Sequence, residues 1–264
     1  MRALAGIFMG LIGLVLAAPL AVVAGISLNQ RKMMLFPPQG LSFQWYGELF
    51  RDEGWRNAML NSLSLALCAA LFATSIALPI AYAVWRWNSR FARALHAMGS
   101  TPFILPPVIT ALGFLVFWTM SGFYGSFGAV VISHGIFLVT LPLITVSLGF
   151  AGIDPAYTEA AATLGADDRT VFRTVVLPMV LPYVVSGFVF AFVISLNEYI
   201  ISYMVAGFTV ETLPIKVFNS IRYGYTPVMA AVSVVFILVA LVAFGLVGRF
   251  GDLPRLLGAW APKD

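Results

Sequence analysis

Charged side chains are scarce: Asp, Glu, Lys and Arg make up 10% of the 264 residues, against about a quarter in an ordinary soluble domain. With 61% of the chain hydrophobic, long apolar stretches are unavoidable, and a water-soluble domain could not hide them all. The single cysteine, Cys68, excludes an intrachain disulfide and a cysteine-based metal site. No Gly-x-x-x-x-Gly-Lys-Ser/Thr loop occurs, so the chain is not expected to bind or hydrolyse ATP unaided. Heptads, low-complexity tracts and an inverted repeat between halves are missing, which argues against a lone symmetrical transporter. The formal net charge of +4 comes from basic residues spread over several loops, without the basic tract and interleaved aromatics of a nucleic-acid binder.

What the chain does have is apolar runs long enough for a bilayer. A spanning helix needs roughly 20 mostly apolar residues to cross about 30 Å of hydrocarbon. Six stretches meet that length, near 4–28, 58–86, 102–120, 126–150, 178–204 and 226–249. The expected fold is therefore all-α, a single polytopic domain over 1–264 with six transmembrane helices. Arg2 and the Ala17-Ala18 pair give the first stretch some features of a secretory signal. Its length and the five spans behind it favour a retained anchor.

Placing both termini in the cytoplasm puts Arg2, Arg86, Arg90, Arg93, Arg169, Arg173, Arg249, Arg255 and Lys263 on that side, nine of the fifteen basic residues. The short loop after the second span, with Arg86, Arg90 and Arg93 and no acid, is the clearest orientation signal. The first outside loop, 29–57, contains the turn-forming Phe36-Pro37-Pro38-Gln39-Gly40 and an amphipathic stretch from Trp45 to Trp55. The outside loop near 205–225, with Glu211-Thr212-Leu213-Pro214 and Tyr223-Gly224-Tyr225-Thr226-Pro227, reads as a turn-rich gate or docking surface, or as a plain connector.

The only long cytoplasmic segment, 151–177, reads as two short helices. Asp154 is a candidate N-cap with Pro155 at the first helical position. Glu159 to Leu164 is rich in helix formers, Gly165 can end that helix with a positive φ, and Asp167 or Asp168 can cap the next. Phe172, Val175 and Val176 fall on one face of the second helix. The small residues Ala160, Ala161 and Gly165 permit close approach of another protein surface.

Here the chain resembles a known family. Glu159-Ala160-Ala161, then Gly165 six residues after Glu159, then Leu177-Pro178, is similar to the "EAA" loop of permease subunits of bacterial binding-protein-dependent ABC importers. That resemblance implies the type I permease fold in the bacterial inner membrane. It further implies that Glu159, Ala160, Ala161, Leu164, Gly165, Ala166 and Phe172 couple the chain to a cytoplasmic ATPase. The implied partners are two ATPase copies, which use ATP and Mg, a second similar permease and an extracytoplasmic substrate-binding protein. This chain itself would carry no cofactor and no metal. Phe36-Pro37-Pro38-Gln39-Gly40-Leu41, Asn61-Ser62-Leu63, Ser195-Leu196-Asn197-Glu198-Tyr199, Glu211-Thr212-Leu213-Pro214 and Thr226-Pro227 look most like the polyamine (spermidine/putrescine) branch. Sister subunits that import opines, amino-acid derivatives or phosphonates are similar in those pieces, and the substrate class stays open among them.

Glu198 lies toward the outer end of the fifth span, and an ionisable group at membrane depth is a functional candidate by default. A carboxylate facing a cavity could attract an ammonium group; alternatively it pairs with a basic group of the partner permease or reaches the interface. Polyamine relatives often carry two acids here, whereas this chain has Asn197 before Glu198, which keeps a less charged substrate open. Asn197, Glu198, Tyr199 and Tyr203 are the candidate substrate-path residues, with Met204 beside them, tyrosine offering cation–π contact to an ammonium. His134, in the fourth span, lacks the neighbouring acids or thiolates of a metal site and is expected to be a packed, hydrogen-bonded histidine. Pro79, Pro102, Pro106, Pro107, Pro142, Pro178 and Pro182 are candidate breaks or kinks. No spaced constellation of His, Asp, Ser or Glu suggests an intramembrane enzyme, and an ATP-independent transporter or a membrane scaffold is the remoter alternative to the importer reading.

Overall fold

The structure is a computed structural model that describes residues 2–224 and 226–250. Arg255 and Lys263, counted in the charge argument, and Tyr225 lie outside the described residues, as does the side chain of Arg2. The elements are α1 (Arg2–Ser27), α2 (Gln44–Arg51), α3 (Glu53–Trp87), α4 (Arg90–Ser100), α5 (Pro107–Ser121), α6 (Phe127–Leu138), α7 (Thr140–Ala151), α8 (Pro155–Thr163), α9 (Asp168–Val171), a π-helical turn (Phe172–Val176), α10 (Leu177–Asn197), α11 (Ile200–Ala206), α12 (Leu213–Tyr223) and α13 (Val228–Phe250). Among the described residues only one isolated bridge, Asn29 with Leu41, has strand-like pairing. The fold is all-helical.

Among the described residues four helices are long and apolar enough to cross a membrane: Leu4–Ser27, Glu53–Trp87, Asp168–Asn197 and Val228–Arg249. A fifth crossing is available if α6 and α7, bent by 43° at Val139, count as one span. Pro142 explains that bend, because it cannot donate to the carbonyl of Leu138 and its ring crowds the preceding turn. The stretch expected to span 102–120 begins instead at Pro107, and α5 has 15 residues. At 1.5 Å per residue it is about 22 Å long, short of a hydrocarbon core of about 30 Å. Pro106, with ψ at 132°, is held out of the helix by the ring that follows it, so residues 101–106 turn rather than extend α5.

The fifth expected span, 178–204, starts earlier and stops earlier. A continuous helical run from Asp168 to Asn197 passes through the π turn, breaks at Glu198 and Tyr199, and resumes as α11. Pro178 cannot donate to Thr174, and the ladder widens there: the Leu177 amide bonds to Phe172 O, five residues back. The 205–225 segment, expected to be turn-rich, holds α12, with Pro214 in its first turn, where a missing N–H costs nothing.

The described residues divide into two compact units, one running to residue 60 and taking in 212–241, the other formed by 61–211 with the residues from 242 to 250. In the first, α1 presents its apolar side chains outward along almost its whole length. The amphipathic stretch expected near Trp45 forms α2, which buries Trp45 and Leu49 against Trp55, Leu213, Val228 and Val232. Trp45 donates its Nε1–H to Asn29 O at 2.6 Å, and Asn29 closes the preceding loop by donating to Met33 O and accepting from the Gln39 amide.

In the second unit two clusters form the core. One gathers Leu65, Ala111, Trp118, Leu138, Ile201 and Val205 around α5, α6 and α11. The other gathers Ala77, Leu143, Phe150, Val176 and Val180 around α3, α7 and α10. Close approach of α10 to α7 depends on Gly187: a Cβ there would stand 2.5 Å from Pro142 Cα and nearer still to Thr145 Oγ1.

Candidate functional site

Two places in the second unit concentrate the polar and exposed features. The first is the segment after α7. Asp154 caps α8 by accepting from the Ala156 amide at 2.9 Å, with Pro155 in the first turn. The helix ends as the sequence predicts: Gly165 has φ +85°, its amide bonds to Ala162 O, and the Ala166 amide bonds to Ala161 O. That pair of bonds is the Schellman closure, which needs a left-handed residue at this position. Asp167, rather than Asp168, caps α9, accepting from the Thr170 amide at 2.9 Å. Hydrogen bonding from Thr170, first through its side chain and then its backbone amide, holds the Asp167 carboxyl below its usual range.

α8 buries none of its residues, and Leu164 is 89% exposed. Glu159, Ala160 and Gly165 are exposed, and Ala161 and Ala166 are half-buried. Glu159 borders a cavity of about 400 Å³ shared with Tyr82, Trp85, Arg86, Asp168 and Phe172. Phe172 stacks edge-on against Tyr82 at 4.9 Å, and Trp85 lies on Phe150 at 5.4 Å. Phe172 and Val176 both enter the second core cluster, while Val175, which the sequence places on the same face, is half-buried and outside it. In the π turn the residues between Phe172 and Val176 are rotated from their α-helical places.

Arg86, read from the sequence only as a topology signal, donates to both carboxylate oxygens of Asp168 at 3.1 and 3.2 Å. The pair ties the end of α3 to the start of α9. Tyr82, Trp85 and Arg86 stand at i, i+3 and i+4 on α3, a spacing that marks one helical face and could have flagged them.

The second place is the break after α10. Glu198 is extended (ψ 118°) between α10 and α11. Its carboxylate accepts from the amides of Ile201 at 3.0 Å and Ser202 at 3.2 Å, satisfying donors at the start of α11. The same carboxylate lies 3.2 Å from Nε2 of His134, which is fully buried; the Glu198 side chain is 8% exposed. His134 completes its bonds with Ser195 Oγ at Nδ1, 2.8 Å, and Ser202 Oγ at Nε2, 2.9 Å. The expectation of a hydrogen-bonded, packed histidine matches this geometry. Glu198 is therefore committed within its own chain.

Beside the break, Asn197 is exposed and bonds back to Val193 O. Tyr199 and Tyr203 stack with centroids 5.4 Å apart, and Phe208 continues the strip 6.1 Å from Tyr203. Met204 packs against the first core cluster. Among the described residues no group of three His, Cys, Asp or Glu could hold a metal.

An all-helical fold with several helices apolar and long enough to cross a membrane, an exposed, double-capped helix on one loop and a broken span is that of a polytopic membrane protein. The chain belongs to the family described as the inner membrane component of binding-protein-dependent transport systems, which matches residues 69–252. It is a permease subunit of an ABC importer, a transport component and not an enzyme. It is 29% identical to the spermidine/putrescine transport system permease protein PotC of Haemophilus influenzae, over 89% of this chain and 91% of that one. It is 31% identical to the putrescine transport system permease protein PotI of Escherichia coli K12, over 94% and 88% of the two chains. In fold it is similar to a chain of a bacterial ABC transporter involved in the import of the acidic polysaccharide alginate. That match has TM-score 0.72 and 16% identity, and covers 94% of this chain and 95% of that one.

Proposed function

We propose that the chain forms half of the translocation pathway of an importer for a polyamine of the spermidine or putrescine class. The observation that carries the substrate class is likeness along almost the whole chain to permeases named for those amines. On this reading the protein crosses the inner membrane six times, α5 being completed as a crossing by residues 101–106, with both termini in the cytoplasm. It works with two ATPase copies, which use ATP and Mg, with a second permease and with an extracytoplasmic binding protein.

α8 and its Schellman closure, with Glu159, Ala160, Ala161, Leu164, Gly165 and Ala166, sit in a groove of the ATPase. Phe172 anchors this element to Tyr82 on α3. ATP binding closes the ATPase pair, the two coupling elements move with it, and the permease pair turns from inward-facing to outward-facing; hydrolysis resets it. The helical run Asp168–Asn197 has 30 residues. At 1.5 Å per residue it is a rod about 45 Å long, leading from the coupling element to the break at Glu198. Displacement at one end is delivered to Asn197, Tyr199 and Tyr203, which line the path and offer an amide and tyrosine faces to an ammonium.

One observation favours a second reading. The carboxylate of Glu198 is held internally and Asn197 stands where a second acid would add charge, which suits a less charged solute such as an opine, an amino-acid derivative or a phosphonate. Uptake by vesicles containing the whole importer decides between them: labelled putrescine or spermidine should accumulate only with ATP and binding protein present. Accumulation of an opine or phosphonate without either amine would replace the polyamine reading.

A further inference from the structure

We infer that Glu198 and His134 together are positioning residues, which set the place of Asn197, Tyr199 and Tyr203 by fastening the break after α10 to α6, and that the Glu198 carboxylate is not itself a ligand for the transported solute. The arrangement closes on itself. Nε2 of His134 stands 3.2 Å from Glu198 Oε2 and 2.9 Å from Ser202 Oγ. The Ser202 hydroxyl has the Glu198 carbonyl at 3.3 Å to donate to, and Ser195 Oγ lies 2.8 Å from Nδ1. With the Nε2–H tautomer, the Ser195 hydroxyl donates to Nδ1, and every polar atom of the imidazole is used. The carboxylate also takes the amides of Ile201 and Ser202, so the group that could meet a cation already accepts at both oxygens.

Three elements meet through these side chains. His134 belongs to α6, Ser195 to α10 and Ser202 to α11, with Glu198 in the gap between the last two. A helix interrupted at membrane depth must satisfy its freed backbone groups internally, and here one carboxylate does so at the start of α11. The same carboxylate holds α11 against the buried histidine. Residues 197–203 thereby have a fixed frame on which an exposed amide and a tyrosine stack are displayed. This role does not rest on the polyamine reading, since it concerns where the segment stands and not what passes it.

The test uses the assembled importer in lipid, with Cys68→Ala and Asn197→Cys, which leave one reporter thiol in this chain. Its rate of reaction with a water-soluble thiol reagent needs no substrate. His134→Gln and Glu198→Gln should each change that rate by about tenfold, and the double variant should change it no further, because both break one fastening. Glu198→Asp, which keeps the charge, should restore part of the rate. Should either Gln variant fail to assemble, Ser202→Ala removes one bond to His134 while leaving the pair, and should shift the rate in the same direction by less. An unchanged rate in the assembled variants overturns the inference. A second arm uses putrescine and spermidine as probes of uptake: both Gln variants should lower turnover by the same factor for the divalent and the trivalent amine. A loss in Glu198→Gln that deepens with amine charge, with His134→Gln silent, would make Glu198 a direct ligand and also overturn it.

Discussion

Gly165 is the residue on which the proposed coupling element depends most. A Cβ there would meet nothing within 4 Å in this chain, so within the chain it is φ at +85° that restricts the position. Asn visits this region at small cost, whereas a β-branched residue is an outlier in it. Gly165→Asn should therefore keep transport, and Gly165→Val should abolish it while leaving the importer assembled, measured as uptake against recovered complex. Asp167 gives a second test. Its carboxyl is lowered from 3.8 by Thr170, so the stability its charge adds is present above that value and is lost only as pH falls through the lowered one. Coupling should then be flat with respect to this group between roughly pH 5 and 8. Asp167→Asn should retain the cap and Asp167→Ala should lose it, read as ATPase activity stimulated by loaded binding protein. These features were legible in the sequence because they are local: a cap, its helix and its glycine lie within a few residues of each other. The pairing of His134 with Glu198 was not, since its bonds join residues more than sixty positions apart and neither residue carries a neighbouring signal.

Among elements, apolar length placed an apolar helix at each of the six expected stretches, but among the described residues only four of them, or five with the bent pair, are long enough to cross a membrane, and their ends were placed poorly. Prolines account for most of the differences: Pro106 and Pro107 shorten α5, Pro142 bends the α6 and α7 pair, and Pro178 accompanies the π turn. The break after Asn197 has another cause, a carboxylate that supplies the bonds the helix gives up. Hydropathy reports how apolar a stretch is and is silent on which turn a buried polar group will open. Packing between α7 and α10 rests on contact that only glycine allows at position 187. Gly187→Leu should destabilise the protein by about 1–3 kcal/mol or more, as overpacking does, seen as a lower melting temperature of the assembled complex. The Arg86–Asp168 pair is different in kind. Its side chains are 46% and 83% exposed, and a double-mutant cycle should find about 0.2–1 kcal/mol between them. Its importance is the direction in which it ties α9 to α3, not the energy it adds.

For the whole molecule, one helical run joins the exposed segment proposed for coupling to the broken span, and that connection carries the proposed mechanism. A chain without a nucleotide-binding loop can be driven from outside if a push at α8 reaches residues 197–203, and the 30-residue run from Asp168 to Asn197 supplies a stiff path for it. The measurement that bears most directly on this account is the ATPase activity of the chain assembled in lipid with the ATPase and second permease proposed as its partners. It is read with binding protein empty and with binding protein loaded with putrescine or spermidine. Stimulation by an amine-loaded form and none by the empty form is the expected result, with Gly165→Val uncoupling the two. Equal activity with empty and loaded protein, or uptake by this chain with no ATPase present, would contradict it.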